Sequence, residues 1–458
     1  MRAIICGAGH VGYSIAAYLS KENNDVTVID SNPIKINKVS SNLDVRSILG
    51  HAANPDILAA AGANSADLII AVTLSDEVNM VACQVAHSLF NMPKKIARIR
   101  ERAFLDPAWC NLFSRAHMPI DVIISPELEV ARSIVERLSI PGTTNVIPMA
   151  NKKAHLCSVI CEENCPIVNT QIKQLESLFP ETHIKIVAIF RGDQAIVPGE
   201  NDQMEVGDEV YFVADTQHID RALSHFGHEE KRAQRIVIVG GGHIGMLLAD
   251  EISSKMPDVD LKIIERNEES AEKLSNELDD VIVVQGDTLE RGILEEVQVG
   301  QADTLIAVTN DDETNILVSL LAKQQGCKEA VTLVNKTVYT SLMGKLGIGA
   351  MLSPQTITVS TIMQHVRRGR IKQIHNIRDG YAEVIEAEIS ETSEVAHKKL
   401  KDINFPKNVI VGALIRGDEV IMPAPELQVE AGDELIVLAA HGTAQKVEKM
   451  FSIQMDLF

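Results

Sequence analysis

Two glycine-rich segments of the chain have the residue types and the spacing that bind a diphosphate. In each, a short apolar run leads into glycines at the first, third and sixth positions, and an amphipathic helical pattern follows. The first glycine allows a tight turn, the second lets a diphosphate approach the backbone, and the third lets helix and strand pack closely. The candidate diphosphate-binding residues are Gly7, Ala8, Gly9, His10, Val11 and Gly12, and then Gly240, Gly241, Gly242, His243, Ile244 and Gly245.

An acidic residue ends the next apolar run after both segments. Asp30 follows Val26–Ile29, and Glu265 follows Leu261–Ile264. A carboxylate at this point accepts hydrogen bonds from ribose hydroxyls and repels a 2′-phosphate, which favours NAD(H) or adenine nucleotides over NADP. The diphosphate would lie on the N-terminal end of the helix, where backbone N–H groups point outward. The alternative is a degenerate Rossmann unit that binds no nucleotide.

A repeated Val-Thr-x-x-Asp-Glu block directly follows the fourth apolar run of each half. Ligands of open α/β sheets bind where the strand order reverses, and the block is expected there. The residues predicted to line the nucleotide cleft are Thr73, Leu74, Thr309 and Asn310. Asp76 and Asp312 have two open interpretations, since they could contact the ligand or could be the N-caps of the helices that follow.

Two arginines end the fifth apolar run, and they occur in the first half only. Arg98 and Arg100 alternate with Ile99 at the carboxyl end of the predicted strand. Guanidinium groups there could bind a phosphate in a bidentate manner, or they could be solvated surface side chains. Leu333 and Asn335 stand at the comparable positions of the second half. The two clefts are therefore expected to differ in their charge preference.

The whole chain is an internal duplication. Besides the glycine segments and the threonine block, Arg191-Gly192-Asp193 precedes Gly207-Asp208-Glu209, and Arg416-Gly417-Asp418 precedes Gly432-Asp433-Glu434 at the same spacing. Matching blocks in the same order indicate repeated structural units. Each half therefore carries the same larger domain followed by the same smaller domain.

Short apolar runs alternate with helical patterns in the larger domain, which is typical of a parallel sheet covered by helices on both faces. The smaller domain has short strands joined by tight turns. The predicted fold is α/β, with two tandem Rossmann-type doubly wound parallel sheets, each followed by a small α+β domain. The predicted domains are 1–140, 141–228, 229–366 and 367–458, with a polar linker at 226–235.

The net charge of −20 limits the classes of partner. A field of that sign repels nucleic-acid phosphates and anionic lipid head groups, whereas a basic protein surface would suit it. No apolar run is long enough to span a bilayer. The first strand is predicted next to Met1, which leaves no room for a signal peptide. We therefore expect a cytoplasmic protein that binds no nucleic acid and does not insert into lipid.

Three of the seven cysteines, Cys157, Cys161 and Cys165, lie close together in the sequence. Their spacing differs from the pairs of zinc knuckles, and His155 is the only nearby candidate for a fourth ligand. An odd number of cysteines in such a chain favours reduced thiols. We expect buried or half-buried thiols and no metal site. Metal or redox use is the alternative.

Taken together, these motifs resemble the TrkA family, the peripheral NAD-binding subunits of bacterial Trk potassium uptake systems, and each half resembles an RCK domain. The most specific matches are the doubled glycine segment and the runs 76–86, 96–100 and 307–313. The resemblance implies a cytoplasmic homotetramer docked on a TrkH-type potassium-transporting membrane subunit, on the cytoplasmic face of the inner membrane. It also implies that NAD(H) and ATP or ADP bind in the Rossmann clefts and tune the ion flux.

By position, the resemblance places Gly7–Val11, Asp30, Thr73 and Arg98 in the first cleft, and Gly240–Ile244 with Glu265 in the second. Val78 departs from the pattern, because the second half has Thr314 there, and this weakens a polar role at that helix turn.

A dehydrogenase would need a substrate domain with a proton-transfer residue near the nicotinamide. The small domains lack a histidine paired with an arginine or aspartate that could serve, so we expect no enzymatic activity. Two other classes stay open, namely a dehydrogenase, which NADH turnover would detect, and a redox-responsive DNA-binding regulator, which a gel-shift assay would detect.

Overall fold

The fold is described from a computed structural model of the chain. The described residues are 1–22, 24–178, 183–192, 194–336, 339, 348–366, 371–378, 381–440 and 442–451. Asp193 of the repeated block and the predicted domain ends 367 and 458 lie outside them. The chain divides into two compact units, one formed by residues 1–130 and 353–366 and the other by residues 131–352 and 367–458.

Both halves of the chain have eleven strands in the same order, and the second half has fewer α-helices among its described residues. The first half contains β1 (Arg2–Cys6), α1 (His10–Lys21), β2 (Asp25–Asp30), α2 (Pro33–Asn42), β3 (Arg46–Leu49), α3 (Pro55–Ala60), β4 (Leu68–Ala71), α4 (Asp76–Phe90), β5 (Lys94–Arg98), α5 (Arg102–Leu105), β6 (Val122–Ile124), α6 (Pro126–Ser139), β7 (Asn145–Met149), β8 (Ala154–Ile160), α7 (Ile172–Leu178), β9 (Ile184–Arg191), β10 (Gln194–Ile196), β11 (Glu209–Asp215) and α8 (Ile219–His225).

The second half contains β12 (Arg235–Val239), α9 (His243–Lys255), β13 (Asp260–Glu265), α10 (Glu268–Glu277), β14 (Ile282–Gln285), α11 (Arg291–Glu296), β15 (Thr304–Ala307), α12 (Asp312–Gln325), β16 (Glu329–Leu333), β17 (Ala350–Leu352), α13 (Pro354–Val366), β18 (Ile371–Ile377), β19 (Ala382–Glu388), β20 (Val409–Arg416), β21 (Glu419–Ile421), β22 (Glu434–Ala440) and α14 (Ala444–Phe451). Residues 226–234 form neither helix nor strand, and Arg235, the last residue of the predicted linker, is the first residue of β12.

The first unit is built on a parallel sheet with the strand order β3-β2-β1-β4-β5-β6. Successive residues of a strand point to opposite faces, so Ile4 and Ile69 lie in the core on one face, and Ile5 and Ile70 lie in the core on the other. The order reverses between β1 and β4, which places the crevice of this sheet beyond the carboxyl ends of those two strands.

Helix α13 belongs to the first unit, although it follows the second parallel sheet in the chain. Its residues Ile362 and Met363 lie in the same core cluster as Ile15 and Leu19 of α1. Beside them, Gln355 donates a hydrogen bond to Ser14. Nothing in the sequence indicates this placement, because an apolar helix face is suited to either sheet.

The second unit contains the matching parallel sheet, β14-β13-β12-β15-β16-β17. The C-terminal part of α6 lies in this unit, where Arg132 pairs with Glu251 of α9 at 3.7 Å and Arg137 pairs with Glu329 of β16. The predicted fold, two Rossmann-type parallel sheets each followed by a small α+β domain, is confirmed.

The two small domains also lie in the second unit, and each is an antiparallel sheet, β10-β9-β11-β8-β7 and β18-β19-β22-β20-β21. One shared core cluster contains Phe190 and Val213 of the first small domain and Val384 and Leu438 of the second. The sequence patterns did not predict β7, β18 and β19. Polar residues such as Asn145, together with Lys372, Gln373 and Asn376 of β18, interrupt the alternation from which strands are predicted.

The repeated Arg-Gly-Asp and Gly-Asp-Glu blocks are structural. Arg191 donates through Nε and Nη2 to the two carboxylate oxygens of Asp208, each at 2.9 Å, and Arg416 binds Asp433 in the same way at 2.9 and 2.8 Å. Asp208 and Asp433 are buried, and a buried carboxylate needs such a bidentate partner. Each pair joins the end of one strand, β9 or β20, to the turn before its neighbour in the sheet, β11 or β22.

Among the described residues, no helix is both long and apolar enough to cross a lipid bilayer.

Candidate nucleotide-binding clefts

The loops after β1 and β12 make the tight turn that was predicted for their first glycine. Gly7 and Gly240 have φ angles of +109° and +101°, and their N–H groups donate to Ile29 O and Ile264 O at 2.7 and 2.9 Å. A Cβ on Gly7 would lie 2.9 Å from Val72 O, which places this glycine beside the threonine block. Only glycine adopts this conformation readily in so narrow a space.

The sixth position of each segment is a packing position. A Cβ atom added to Gly12 would lie 1.9 Å from Gly7 O, and one added to Gly245 would lie 1.9 Å from Gly240 O. Distances this short cannot be relieved without moving the backbone. Gly12 and Gly245 therefore hold their helices against the preceding turns.

The glycine at the third position of each segment has open space around it. Gly9 and Gly242 are the N-cap residues of α1 and α9, no side chain caps either helix, and an added Cβ would meet nothing within 4 Å. Among the described residues, five other α-helices do have side-chain caps, namely α2, α4, α5, α10 and α12. The first N–H groups of α1 and α9, from His10 and His243 onward, thus face a space that an anion can enter.

The acidic residues after β2 and β13 bind the glycine loops. The Asp30 carboxylate accepts hydrogen bonds from Ala8 N at 2.7 Å and Asn32 N at 2.8 Å. Glu265 accepts from Gly241 N at 2.7 Å and Asn267 N at 2.8 Å. A carboxylate has about four acceptor positions, so each retains capacity for a ribose hydroxyl. The same side chain thus fixes the loop and stands where the ribose is expected.

A buried asparagine organises the threonine block of the first cleft. Asn79 Oδ1 accepts from Thr73 N at 2.8 Å and Thr73 Oγ1 at 2.7 Å, while Asn79 Nδ2 donates to Arg98 O at 2.9 Å. Asn315 makes the same bonds to Thr309 and to Leu333 O at 2.6 to 3.0 Å. Each asparagine joins the carboxyl ends of the fourth and fifth strands, which form the wall of the crevice.

Four other candidate side chains of the clefts are exposed or half-buried. Leu74 is 75% exposed, Asn310 is exposed, and Val11 and Ile244 are half-buried at the starts of α1 and α9. They lie at the openings of the two crevices. Their contact with a nucleotide stays a prediction, as it does for every candidate residue of the two clefts.

The interpretation of Asp76 and Asp312 as N-caps is wrong. The caps are Ser75, which accepts from Val78 N, and Asp311, which accepts from Thr314 N. A cap has an extended backbone and precedes the first helical residue, whereas Asp76 and Asp312 are themselves the first helical residues. Their buried carboxylates face the neighbouring loop instead.

This loop follows the fifth strand in each half. Asp76 accepts from the N–H groups of Arg100 and Glu101, both at 2.8 Å, and Asp312 accepts from those of Asn335 and Lys336, both at 2.9 Å. The two aspartates therefore fix the position of the chain that carries Arg100 or Asn335.

Arg98 and Arg100 share one carboxylate. Glu127 Oε1 accepts from Arg98 Nη2 at 3.3 Å and from Arg100 Nε at 2.9 Å. The Arg98 side chain is 14% exposed, so the interpretation as a solvated surface residue is wrong for it, while Arg100 is 35% exposed. Glu127 is at the start of α6. The second half has Leu333, Asn335 and Gln355 at these three places.

Comparison with known proteins agrees with this duplicated architecture. Residues 3–126 and 236–354 match the TrkA-N domain, and residues 158–227 and 384–452 match the TrkA-C domain. The chain is 44% identical over 458 residues to the Trk system potassium uptake protein TrkA of Azorhizobium caulinodans, with all of both chains covered. It is 37% identical to that of Halomonas elongata, again over all of both chains. The chain belongs to the TrkA family.

Solved structures with the same fold extend the comparison of this TrkA family member. The crystal structure of the GsuK RCK domain has a TM-score of 0.60 at 18% identity, covering 98% of this chain and 94% of that chain. The structure of the GsuK channel bound to NAD has a TM-score of 0.61 at 18% identity, covering 98% of this chain and 78% of that chain. The tandem RCK fold is therefore shared with a channel.

Three residues of this TrkA family member were missed by the sequence analysis, namely Asn79, Asn315 and Glu127. The asparagines lie within the repeated block, so their recurrence was a visible signal. Glu127 is not repeated in the second half, where Gln355 stands at the same place. An acidic residue at the start of a helix is also common on protein surfaces, because it interacts favourably with the helix dipole. Only the fold brings Glu127 next to the two arginines.

The cysteines have the predicted environment. Cys157, Cys161 and Cys165 are buried and not disulfide-bonded. Within the described ranges, no group of three or more histidine, cysteine or acidic side chains has the arrangement of a metal site.

Proposed function

We propose that the chain is a nucleotide-sensing regulatory subunit of a Trk-type potassium uptake system. In this proposal the two Rossmann clefts bind NAD(H) and ATP or ADP, and the bound nucleotide gates a TrkH-type membrane subunit. The chain itself catalyses no reaction. It acts at the cytoplasmic face of the inner membrane through this partner.

The observation that carries the proposal is the pair of uncapped helix starts at Gly9 and Gly242. Each combines free backbone N–H groups, open space and a neighbouring carboxylate held in the loop, Asp30 or Glu265. This combination suits the diphosphate and ribose of a dinucleotide. The GsuK channel, which shares the fold, has been solved bound to NAD. The relatives named Trk system potassium uptake proteins support the transport role.

The arginine pair supports a distinction between ATP and ADP in the first cleft. Glu127 binds both Arg98 and Arg100 through a single oxygen. Glu127 Oε2 and Arg98 Nε are buried and have no hydrogen-bond partner among the described residues. Buried charged groups with unused positions are costly, so this arrangement can be displaced by a better partner. An additional phosphate would compete with Glu127 for the two guanidinium groups. Glu127 lies in the first turn of α6, so a phosphate that displaced its carboxylate from the arginines would act on that helix.

Gating requires that a nucleotide bind one arrangement of the protein more tightly than another. A difference of about 1 to 3 kcal/mol would shift such an equilibrium roughly 5- to 150-fold. We expect the Arg98→Ala/Arg100→Ala double variant to lose most of the difference between ATP and ADP. We expect Glu127→Gln to bind ATP more tightly, since a neutral amide competes less well than a carboxylate with phosphate for the two guanidinium groups.

The test is potassium flux through the membrane partner reconstituted in liposomes with this chain, with ATP, ADP, NADH and NAD supplied in turn. Wild type should respond differently to ATP and ADP. The double variant should respond to both alike, and calorimetric titration should report the tighter binding of Glu127→Gln. The matched control is Asn335→Ala, at the place of Arg100 in the second half. Flux that ignores all four nucleotides, or an unaltered response of the double variant, contradicts the proposal.

The assembly belongs to the same proposal. Closed symmetric rings are the common solution for repeated units that pair through the same surface, and we propose a homotetramer. A net charge of −20 suits the cytoplasmic loops of a membrane partner, which carry an excess of Lys and Arg. Light scattering should report four times the chain mass of 50.0 kDa. A monomer at micromolar concentration would contradict this assembly.

A further inference from the structure

The strands β3 and β14 end beside the acidic residues that are expected to bind the ribose. Asp30, the last residue of β2, pairs with the last residue of β3, and Glu265, the last residue of β13, pairs with the last residue of β14. The chain then continues with a glycine. Gly50 N donates to Asp30 O at 3.0 Å, and Gly286 N donates to Glu265 O at 2.9 Å. The turns after β3 and β14 are therefore held next to the two carboxylates.

This arrangement indicates where the base of a bound nucleotide lies. The strand orders β3-β2-β1 and β14-β13-β12 place the glycine loop at the end of one strand and the acidic residue at the end of the next. Adjacent strands are about 4.8 Å apart, so a nucleotide that continues in the same direction brings its base to the turn after β3 or β14. Side chains of these turns can therefore contact the edge of the base.

The two turns share their hydrogen bonds and differ in one side chain. In each, the backbone oxygen of the second residue after the strand, His51 or Asp287, accepts from the N–H group three residues further on at 3.0 Å. The side chain of the same residue bonds to the backbone two residues further on. His51 Nδ1 accepts from Ala53 N at 3.4 Å, and Asp287 Oδ1 accepts from Leu289 N at 2.9 Å. The imidazole thus replaces the carboxylate in an otherwise identical turn.

The second polar atom of each side chain has the opposite hydrogen-bonding character. Within the described part of the chain, neither Asp287 Oδ2 nor His51 Nε2 has a partner. Asp287 is half-buried, and its Oδ2 is an acceptor. His51 is exposed, and because its Nδ1 serves as an acceptor, the proton of the neutral ring is assigned to Nε2, which is a donor. The second turn therefore offers an acceptor to the base, and the first offers a donor.

A cation beside the second turn is suited to stack on a base. Arg266 directly follows Glu265, and its backbone oxygen accepts from Gln285 Nε2 of β14 at 3.2 Å. Its side chain is exposed, and its guanidinium group has no partner among the described residues. Guanidinium planes stack on aromatic rings, including nucleic-acid bases. Ser31 stands at this place in the first cleft.

We propose, on the basis of the nucleotide binding in the proposed function, that the second cleft requires adenine whereas the first also accepts hypoxanthine. In the second cleft, Asp287 Oδ2 accepts a hydrogen bond from the exocyclic amino group of adenine. Hypoxanthine has a keto oxygen there, which would face the carboxylate as a second acceptor without a shared hydrogen. In the first cleft, His51 Nε2 donates to this keto oxygen or to a ring nitrogen of adenine, so both bases are bound.

The test is calorimetric titration of the full chain with NAD and ADP and with their hypoxanthine counterparts, nicotinamide hypoxanthine dinucleotide and IDP. Gly9→Leu blocks the first cleft, so it reports the second cleft, and Gly242→Leu reports the first. In Gly9→Leu, we expect the hypoxanthine compounds to bind roughly 10-fold or more weakly, because a charged hydrogen bond is lost. In Gly242→Leu, we expect them to bind as tightly as NAD and ADP.

Equal affinities in Gly9→Leu, or a 10-fold preference for adenine in Gly242→Leu, would overturn this specificity and leave the proposed function intact. A wild-type chain that binds neither NAD nor ADP would contradict the proposed function as well.

Three further variants assign the preference to the side chains. In the Gly9→Leu background, Asp287→Asn keeps the acceptor for Leu289 N and places an amide donor at the position of Oδ2, so the preference should reverse toward hypoxanthine. His51→Asp in the Gly242→Leu background should create a preference for adenine. Arg266→Ser should weaken both kinds of compound alike, because stacking does not depend on the exocyclic group.

An unchanged preference in Asp287→Asn, or a preference that is lost in Arg266→Ser, would show that Asp287 is not the residue that selects the base. Should His51→Asp fail to fold, Asp287→Asn, which has the same size as the native residue, decides.

Discussion

Replacement of Gly9 by leucine is expected to abolish nucleotide binding to the first Rossmann domain while leaving the protein folded. The Gly9 backbone has a φ of −68° and a ψ of −173°, an extended conformation that any residue adopts, and an added Cβ meets no atom within 4 Å. A leucine side chain would fill the space that the diphosphate needs above the start of α1. Calorimetric titration with NADH and with ATP should therefore lose the binding equivalent that belongs to this cleft.

The control is Gly242→Leu, which makes the same change at the start of α9, where the added Cβ is equally unobstructed. Each single variant should lose one equivalent and the double variant both. Gly12→Ala would be unsuitable, since its Cβ would lie 1.9 Å from Gly7 O and the fold itself would be disturbed. Unchanged stoichiometry in Gly9→Leu, with an unaltered melting temperature, would remove this cleft from the proposed function.

Asn79→Leu is expected to lower the free energy of unfolding of the first unit by about 2 to 5 kcal/mol. Asn79 is completely buried, and its amide is bonded to Thr73 N, Thr73 Oγ1 and Arg98 O. Leucine has a similar volume but leaves these groups without their partner, and each unsatisfied buried group costs about 1 to 3 kcal/mol. Urea denaturation followed by the fluorescence of Trp109, which lies in this unit, measures the change.

The matched variant is Asn315→Leu, which removes the same network from the second unit. Trp109 is the single tryptophan of the chain, so its transition should shift strongly in Asn79→Leu and less in Asn315→Leu. Equal midpoints for Asn79→Leu and wild type would show that the two strand ends hold their positions without this asparagine.

The fold was predictable because its signals are local and occur twice. A buried strand, a glycine turn and an amphipathic helix are each specified by a few consecutive residues, and the duplication allowed the strands of the two parallel sheets to be checked against their copies. The loop geometry at Gly7, Gly12 and Asp30 followed from the same patterns. The choice among NAD(H), ATP and ADP did not, because all three share the ribose and diphosphate to which these patterns correspond.

The features that sequence reasoning missed depend on contacts between distant segments. The pairing of Glu127 with Arg98 and Arg100 joins residues from two loops, and no pattern along the chain specifies it. The wrong N-cap assignment at Asp76 has a similar cause. Both Ser75 and Asp76 are good caps, and only the path of the loop at Arg100 shows that the aspartate is used elsewhere.

The position of α13 bears on what the first half of the chain could form alone. The apolar face of α1, with Ile15 and Leu19, is covered by a helix that the first half does not encode. The counterpart of α13 in the first half is α6, which also follows a Ser-Pro step, and its C-terminal part lies in the other unit. A protein made of residues 1–228 alone would leave this face of α1 uncovered. The α6 helix of a second copy of that protein would be needed to cover it. We therefore expect residues 1–228 alone to expose the apolar face of α1 that α13 covers in the full chain.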